Sequence, residues 1–400
     1  MQAGRPIAIR HVVVRDTSRS RADLPAGITP SNSIEDALAD PDTQLVVQLI
    51  GGTTTARDYA LKFLKGGKDL ITANKALLYT DGDTLFHEAN QHGQSIGFEA
   101  AVAGGIPIIA ALTQSLTANG IQSIEAILNG TSNFILTQML DHLQPYAEVL
   151  QEAQRLGYAE ADPAMDVDGT DAAQKLAILT KLAFSTTVNL SDIVQQGIDV
   201  LELQDLQTAQ ELGYKIKLLA SARLQPEGLE LSVQPTLLPV DSPVAQIDGA
   251  DNIVAVTGDA VGRTAYSGAG AGQLPTASAV VADIVDYATG RGPATFASVL
   301  RALEQPRNLV QPPEQLRRRY YLRMTVDDQP HVLADIADVL GKNDISISSI
   351  RQDETSDDDE TARLVIMTHH TTEGQLRSVD AMLDKLGSIR NQSLRLPVAA

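Results

Sequence analysis

The segment 157–175 holds the densest group of ionisable side chains in the sequence. It contains five carboxylates and one lysine, namely Glu160, Asp162, Asp166, Asp168, Asp171 and Lys175. Gly169-Thr170 predicts a helix start, which places Asp171 and Lys175 one turn apart on the same face. A lysine among carboxylates on such a helix is suited to donate a proton to a carbonyl oxygen. The alternative is a surface ion pair, contributing about 0.3–0.5 kcal/mol.

A calcium-binding loop is a second alternative for this segment, because Asp166-x-Asp168-Gly169 matches the middle of an EF-hand loop. The two ends of such a loop do not match. Its first ligand position falls on Ala164, and its twelfth falls on Lys175, where a bidentate glutamate is required. The spacing therefore argues against calcium.

Small and polar residues follow two strands of a predicted parallel sheet. The apolar run 45–50 precedes Gly51-Gly52-Thr53, and the next strand ends in Thr72, before Asn74 and Lys75. Ligands of open α/β sheets bind beyond the carboxyl ends of the strands, so both segments are placed to contact a cofactor or substrate. Small residues there also let backbone N–H groups approach a ligand. The alternative for the two glycines is a simple strand-to-helix turn.

Glu99 lies in an otherwise apolar, glycine-containing stretch, residues 98–109. A carboxylate in such surroundings needs a partner. Backbone carbonyl oxygens that converge with it would suit a hard monovalent cation. The alternative is that Glu99 accepts hydrogen bonds from the backbone N–H groups of a helix that begins near Pro107. The residues alone leave both interpretations open.

The elements around these residues predict an α/β protein. Strands and helices alternate about every 20–25 residues up to residue 101, which indicates βαβ units and a parallel, doubly wound sheet. The predicted strands are 7–14, 45–50, 69–72 and 95–101, and the predicted helices are 33–39 (with Ser33 as N-cap), one that ends near Lys65, and 83–92.

The pattern changes in the central region, from residue 106 to about 289. Strand-like runs there are 121–128 and 230–237, and a glycine-rich segment, 268–272, introduces a helix at 276–288. Residues 291–315 contain several prolines and little periodicity beyond a short helix, so they are interpreted as a linker.

The tail, from residue 320, has a β-α-β-β-α-β pattern. Its strands are predicted at 320–326, 345–351, 362–368 and 388–396, its helices at 332–340 and 373–386, and an acidic hairpin at 353–360. The first helix is amphipathic, and the pattern predicts Leu333, Ile336 and Leu340 on one face.

Composition disfavours several classes of function. The chain has 31 basic and 50 acidic residues among 400, a net charge of −19, which disfavours nonspecific binding to nucleic acid or anionic lipid. It has no cysteine, so disulfides, thiolate metal sites and cysteine nucleophiles are excluded together. No apolar run approaches the ~18–20 residues of a membrane helix, and the N-terminal residues lack the layout of a signal peptide. The expected location is the cytoplasm.

Five segments together resemble homoserine dehydrogenase in order and spacing. They are Ile-Thr-Ala-Asn-Lys-Ala-Leu (71–77), Glu-Ala-x-Val-x-Gly-Gly-Ile-Pro-Ile-Ile (99–109), Leu-Asn-Gly-Thr-Ser-Asn-Phe-Ile-Leu-Thr (128–137), Gly-Tyr-Ala-Glu-Ala-Asp-Pro (157–163) and Gly-Ala-Gly-Ala-Gly-Gln-Leu-Pro-Thr-Ala-Ser-Ala (268–279). The resemblance covers residues 7–290, and the tail from 320 is similar to an ACT domain, an amino-acid-sensing module often fused to this enzyme.

The resemblance implies three domains. They are a truncated Rossmann-like dinucleotide-binding domain at 1–105 plus about 273–315, an α+β catalytic and dimerisation domain at 106–272, and an ACT domain at 318–400. It also implies a homodimer or homotetramer that acts on a small molecule, with an amino-acid effector at the ACT domain.

The implied reaction is the NAD(P)H-dependent reduction of L-aspartate 4-semialdehyde to L-homoserine, in the biosynthesis of threonine and methionine. Lys175 would donate the proton to the aldehyde oxygen, and Asp171 would orient Lys175 and the substrate. Glu160 would hold the substrate's amino group, and Lys75 would face both substrate and nicotinamide.

The same resemblance implies a cofactor site and a cation site. The cofactor, NADP or NAD, would contact Gly51, Thr53, Thr72, Asn74, Lys75 and Gly270. A sodium-like cation would be bound by Glu99 and by the backbone oxygens of Val102, Gly104 and Ile106.

The N-terminus departs from the family pattern. No G-x-G-x-x-G loop precedes Asp16, and the chain opens at what should be the second strand. We expect either a true start further upstream or a noncatalytic paralogue that binds amino acids or serves as a scaffold. The sequence as written is expected to bind NAD(P)H at least ~100-fold more weakly than a form with the upstream unit. Arg15 and Arg19 would favour the 2′-phosphate of NADP.

The tail departs as well, because His331 follows Pro330 where ACT domains usually have glycine. The side chain is expected to occupy the approach of an effector, held by a hydrogen bond to Asp335, so that the response to threonine is weak. The alternative is that the imidazole of His331 points to solvent and leaves the site usable. The exposed edges of the ACT sheet predict pairing with a second chain.

Overall fold

The computed structural model describes residues 3–21, 24–25, 27–305, 307–352, 360–391 and 393–399. Its contacts divide the chain into two compact units. Unit 1 comprises residues 1–120, 177–187 and 268–307, and unit 2 comprises 121–176, 188–267 and 308–400. Nearly all of the acidic hairpin predicted at 353–360 lies outside the described residues.

The helices, in chain order, are α1 (Glu35–Ala39), α2 (Thr54–Lys65), α3 (Lys75–Gln91), α4 (Ile108–Ala110), α5 (Gly130–His142), α6 (Tyr146–Leu156), α7 (Ala164–Val167), α8 (Thr170–Phe184), α9 (Leu203–Glu211), α10 (Gln273–Ala288), α11 (Gly292–Leu303), α12 (Val332–Lys342) and α13 (Glu373–Leu383). The strands are β1 (Leu45–Gln48), β2 (Asp69–Thr72), β3 (Ile96–Gly97), β4 (Ile121–Ile127), β5 (Val194–Gln195), β6 (Tyr214–Gln225), β7 (Gly228–Pro239), β8 (Asp251–Gly258), β9 (Gly262–Ala269), β10 (Arg317–Asp327), β11 (Ile347–Gln352), β12 (Thr361–Thr368), β13 (Thr371–Thr372) and β14 (Leu394–Val398).

Unit 1 is built on a parallel sheet of order β1-β2-β3. Strand and helix alternate along the chain, so parallel neighbours are joined by crossover helices, as the sequence predicted. Buried Ile71 of β2 packs with Ala279 and Val280 of α10. The expected Rossmann-like α/β class is confirmed for this part of the chain.

Two predicted strands in unit 1 are corrected. Residues 7–14 do not form a strand, because a single bridge between Val13 and Ser31 is their only strand-type pairing among the described residues. Isolated extended chain is not stable in water without a hydrogen-bonded neighbour, and Ile7 is 53% exposed. The predicted strand 95–101 is only two residues long, and a 3₁₀ turn, Glu99–Ala101, follows it.

Two helix starts in unit 1 also differ from the prediction. Helix α1 has Ile34 as its N-cap, and the hydroxyl of Ser33 accepts a hydrogen bond from the Glu35 N–H at 3.2 Å. Helix α3 begins eight residues before the predicted start, because the side chain of Asn74 accepts a hydrogen bond from the Leu77 N–H at 3.0 Å and caps the first turn. The proline-containing linker includes the twelve-residue helix α11.

Unit 2 contains a mixed sheet in the order β11-β12-β10-β14-β7-β6-β4-β8-β9. Strands β6 and β7 form a long antiparallel pair from Tyr214↔Pro239 to Gln225↔Gly228. The tail joins this sheet where Val398 of β14 pairs with Leu237 of β7, and the Ala399 N–H donates to the Leu237 carbonyl at 2.9 Å. One edge of the four-stranded tail sheet is therefore occupied within the same chain.

The tail has the predicted β-α-β-β-α-β order, with the short strand β13 added. The buried face of α12 is formed by Val332, Ile336 and Leu340, spaced four residues apart. Leu333, predicted to lie on this face, is 39% exposed, so this part of the prediction is wrong. Among the described residues, no helix is both long enough and apolar enough to cross a membrane.

His331 is the N-cap residue of α12 and has φ of +75°, a left-handed conformation that favours glycine. Its side chain is exposed. Among the described residues, the backbone N–H of Asp335 donates to the His331 carbonyl, but its carboxylate does not bond to the imidazole. The predicted hydrogen bond between the imidazole of His331 and the carboxylate of Asp335 is therefore absent among the described residues. The structure agrees with the alternative, in which His331 is exposed to solvent.

Candidate functional site

Helix α8 brings Asp171 and Lys175 together as the sequence predicted. The Nζ atom of Lys175 donates to Oδ2 of Asp171 at 2.7 Å and to the carbonyl oxygen of Leu128 at 2.7 Å. The two side chains are only 12% and 9% exposed. The pair is therefore buried, unlike the surface ion pair of the alternative interpretation.

Asn129 links this pair to a second carboxylate. Its Nδ2 donates to Oδ1 of Asp166 at 2.9 Å and to Oδ2 of Asp171 at 3.0 Å. Its Oδ1 accepts from the Ser132 N–H at 2.8 Å, which caps α5 and orients the amide. Neither Asn129 nor Asp166 was among our predicted site residues. Asp166 lies in the acidic segment and Asn129 in the motif 128–137, so both signals were present in the sequence.

The surroundings of Asp166 raise the pKa of its carboxyl group. Burial raises the pKa of this carboxyl above its ordinary value, and the charges of Asp171 and Glu160 act in the same direction. The hydrogen bond from Asn129 and the charge of Lys175 oppose the rise. Asp166, Asp171, Glu160, Lys175 and Asn129 therefore form one electrostatically coupled cluster. The contacts with Asn129 and Lys175 partly counteract the effect of burial on the pKa of Asp166.

Glu160 stands at the exposed side of this cluster. Its backbone carbonyl accepts a hydrogen bond from Nε2 of Gln154 at 3.2 Å, while the residue itself is exposed. The neighbouring Tyr158 ring stacks on Phe134 with centroids 4.4 Å apart, which anchors the segment. An exposed carboxylate beside a buried acid–lysine group can bind a ligand cation.

The predicted cofactor residues of the parallel sheet also lie together, in unit 1. Thr72 of β2 is paired with Gln48 of β1 and donates to its Oε1 at 2.6 Å. Asn74 donates from Nδ2 to the carbonyls of Ile50, at 3.1 Å, and Gly52, at 2.7 Å. The side chains of Thr72 and Asn74 thus tie the ends of two neighbouring strands together. Parallel strands end at the same edge, which is why residues distant in sequence meet here.

Three further residues at this edge differ in their surroundings. Gly51 is exposed, Thr53 precedes α2, and Lys75 opens α3 in a half-buried position. Gly52 has φ of +76°, a conformation that glycine adopts without strain. The positive φ of Gly52 supports the alternative that the two glycines form the strand-to-helix turn. Both glycines are also exposed, so a ligand can approach their backbone.

Glu99 caps a helix end. Its Oε1 accepts from the Ile109 N–H and its Oε2 from the Ala110 N–H, both at 2.8 Å. Glu99 is 7% exposed, and burial raises its pKa to about 7, with the charge of Asp286 contributing and the backbone N–H donors opposing. The capping alternative is thus realised.

The carbonyl groups expected to join Glu99 lie in a tight loop. Gly104 has φ of +48°, and a Cβ atom there would lie 2.5 Å from the carbonyl oxygen of Gly270. Gly270 therefore packs against this loop. The Ile106 carbonyl accepts from the Ile108 N–H at 2.8 Å, whereas no backbone N–H within the described ranges donates to the carbonyls of Val102 and Gly104.

Comparison with known proteins finds three family matches along the chain. Residues 1–99 match the model of the homoserine dehydrogenase NAD-binding domain, residues 107–285 match the homoserine dehydrogenase model, and residues 320–387 match the ACT domain. The chain is 43% identical to a homoserine dehydrogenase of Neisseria gonorrhoeae over 390 residues, covering 96% of this chain and 89% of that protein. It is 41% identical to that of Pseudomonas aeruginosa over 402 residues, covering 99% and 92%.

Solved structures show the same similarity. A homoserine dehydrogenase from Thiobacillus denitrificans superposes with a TM-score of 0.92 and 41% identity, covering 100% of this chain and 91% of that one. A hyperthermophilic archaeal homoserine dehydrogenase in complex with NADPH has a TM-score of 0.52 and 27% identity, covering 60% and 70%. The chain belongs to the homoserine dehydrogenase family, NAD(P)-dependent oxidoreductases, and carries a C-terminal ACT domain.

Proposed function

We propose that Lys175 is the proton donor in the reaction of this enzyme, the NAD(P)H-dependent reduction of L-aspartate 4-semialdehyde to L-homoserine. The observation that carries this role is the buried ammonium group, bonded to Asp171 and to the Leu128 carbonyl. An ammonium group has three N–H donors, and these two contacts leave one for the aldehyde oxygen. Asp171 holds the ammonium group in place through its hydrogen bond from Nζ at 2.7 Å.

Glu160 binds the ammonium group of the substrate, in our proposal, because it is the exposed carboxylate beside the buried cluster. Asp166 adds a second negative charge to the same neighbourhood. Lys75 contributes a positive charge toward substrate and cofactor at the strand edge of unit 1.

The cofactor supplies the hydride to the aldehyde carbon when it is bound. We assign its contacts to Gly51, Thr53, Thr72, Asn74, Lys75 and Gly270. The side chains of Thr72 and Asn74 also fix the loops at this edge through their hydrogen bonds. Exposed small residues such as Gly51 and Gly52, at the carboxyl end of a parallel strand, suit a dinucleotide. The exposed residues Arg15 and Arg19 would pair with a 2′-phosphate, which favours NADP.

A sodium-like cation fits the loop that contains Glu99. The buried carboxylate and the carbonyls of Val102 and Gly104 are hard oxygen donors, and a cation would offset the burial of Glu99. The Ile106 carbonyl completes the proposed set. Such an ion would stabilise the loop and take no part in proton transfer.

The remaining assignments concern assembly and regulation. We propose that the catalytic part of the chain forms a homodimer or homotetramer and that the ACT domain binds an amino-acid effector. We also propose the three domains with the boundaries that the sequence implies, namely 1–105 plus about 273–315, 106–272 and 318–400. Light scattering on the full chain measures the first point, and calorimetry with amino acids measures the second.

Two substitutions test the proposed site. Lys175→Met should lower kcat by ~10²–10⁴-fold, the usual effect of removing a general acid, and leave NADPH binding unchanged. Lys181→Met, on the same helix and ion-paired with Asp83, is the matched control and should keep kcat within about threefold. Glu160→Gln should act mainly on the KM for the aldehyde, and Glu152→Gln, in an exposed pair, should not. Near-normal kcat for Lys175→Met would place the proton donor elsewhere.

A further inference from the structure

Asn129 stands where β4 ends and α5 begins, and it is 5% exposed. Its side-chain oxygen and both hydrogens of its Nδ2 take part in hydrogen bonds. The Oδ1 atom accepts from the Ser132 N–H at 2.8 Å, so the two hydrogens on Nδ2 must point the other way. They meet Asp166 at 2.9 Å and Asp171 at 3.0 Å. The orientation of the amide is therefore determined by the backbone.

The same turn also holds the lysine. Oδ2 of Asp171 accepts from Asn129 and from Lys175, and the carbonyl of Leu128, the residue before Asn129, accepts a second bond from Lys175 at 2.7 Å. Residues 128–129 thus contact two carboxylates and the proposed proton donor. The turn is closely packed against residue 250, since a Cβ atom at Gly130 would lie 2.5 Å from the carbonyl oxygen of Ala250.

Helix capping alone does not account for these contacts. A cap needs one acceptor, which serine or aspartate provides equally well. Only an amide side chain of this length combines that acceptor with two donors. The two donors bond one oxygen of buried Asp171 and one of half-buried Asp166, and the bond to Asp166 opposes the rise in its pKa that burial causes.

We propose that Asn129 is a positioning residue, whose amide bridges Asp166 and Asp171 and so holds Lys175 in its working geometry. The inference rests on the proposed role of Lys175. Asp166 is faced by Asn129, Asp171, Lys175 and Glu160. Without the bridge, Asp166 takes up a proton at a higher pH, and the cluster loses the charge that binds the substrate's ammonium group.

The test uses Asn129→Asp, which keeps the cap acceptor and the side-chain size but removes both donors. Loss of hydrogen bonds to charged groups should lower kcat/KM for the aldehyde by about 10–150-fold. The acid limb of the pH profile should move upward by about one pH unit. Asn129→Ser, a smaller capping residue, should shift the limb in the same direction, and NADPH affinity should not change.

Asn133→Asp is the matched control. Asn133 is also buried in α5, but its Nδ2 donates to the carbonyls of Ile247 and Asp251, and its Oδ1 accepts from Lys217. The acid limb of this variant should stay in place. An unshifted limb in Asn129→Asp, or an equal shift in Asn133→Asp, would overturn the proposal. An active Lys175→Met enzyme would instead overturn the proposed function, whatever the pH profile of Asn129→Asp.

Discussion

Arg323 of β10 donates from Nη2 to Oδ2 of Asp205 in α9 at 3.1 Å, and the carboxylate of Asp205 is completely buried. Arg363 of β12 reaches the other oxygen at 2.6 Å, and the hydroxyl of Tyr321 donates to it at 3.0 Å. The ACT sheet is therefore bound to a helix of its own chain through a buried charge network, besides the β14–β7 pairing. Pairing of its remaining edge with a second chain stays a prediction.

Asp205→Ala should destabilise unit 2 strongly, because it leaves two buried guanidinium groups without their shared carboxylate. Breaking one partner of a buried ion pair costs about 3–5 kcal/mol. Glu211→Ala, which removes an exposed partner of Arg351, should cost about 0–1 kcal/mol. Calorimetric unfolding of both variants makes the comparison. Since Asp205 also accepts the Glu202 N–H, Asp205→Asn separates the charge from the cap. Equal losses in Asp205→Ala and Glu211→Ala would contradict the network's importance.

Asp166→Asn should raise stability at neutral pH and lower activity. Burial raises the pKa of Asp166 in the folded state above the value near 3.9 of an unfolded chain. Such a carboxyl stabilises the fold while it is protonated, and this contribution is lost as pH rises through the folded pKa. The variant is neutral at every pH, so its Tm should exceed that of the parent by about 2 °C or more at pH 7.5 and by less at pH 4.5. A gain that does not grow with pH would contradict the assignment.

Glu99→Gln tests the cation. If a sodium-like ion binds, the Tm of the parent should rise with added NaCl relative to choline chloride at equal ionic strength, because a ligand of the folded state stabilises it. The variant keeps one acceptor for the helix N–H groups and loses the charge. The NaCl concentration that gives half of the rise in Tm should therefore be at least about tenfold higher than in the parent. Identical responses of the two proteins would leave Glu99 as a helix cap only.

His331→Gly addresses the ACT domain. A non-glycine residue with φ of +75° is strained by roughly 1–2 kcal/mol, so glycine should raise the stability of the tail. Because the imidazole is exposed and not held by Asp335, threonine affinity should change by less than about threefold. Calorimetric titration of threonine into both full-length proteins measures this. A large gain in affinity would restore our original explanation, in which His331 obstructs the effector.

The sequence by itself determined what depends on nearby residues. Asp171 and Lys175 meet because a helix repeats every 3.6 residues, and the alternation of strand and helix predicts where Thr72 and Lys75 must lie. The motifs around them identified the family, and the comparisons confirmed it. The β-α-β-β-α-β tail was predicted for the same local reason, namely periodicity bounded by turns.

Tertiary structure decided the contacts between distant segments. Asn129 lies 37 residues from Asp166, and Arg323 lies 118 from Asp205, so no local pattern indicates either pair. The same reason explains the wrong strand at 7–14, because alternating side chains make a strand possible while only a hydrogen-bonded neighbour stabilises it. The partners of Glu99 were likewise decided by the fold. The sequence was compatible with both a cation site and a helix cap, and the folded chain places two backbone N–H groups within hydrogen-bond distance of the carboxylate.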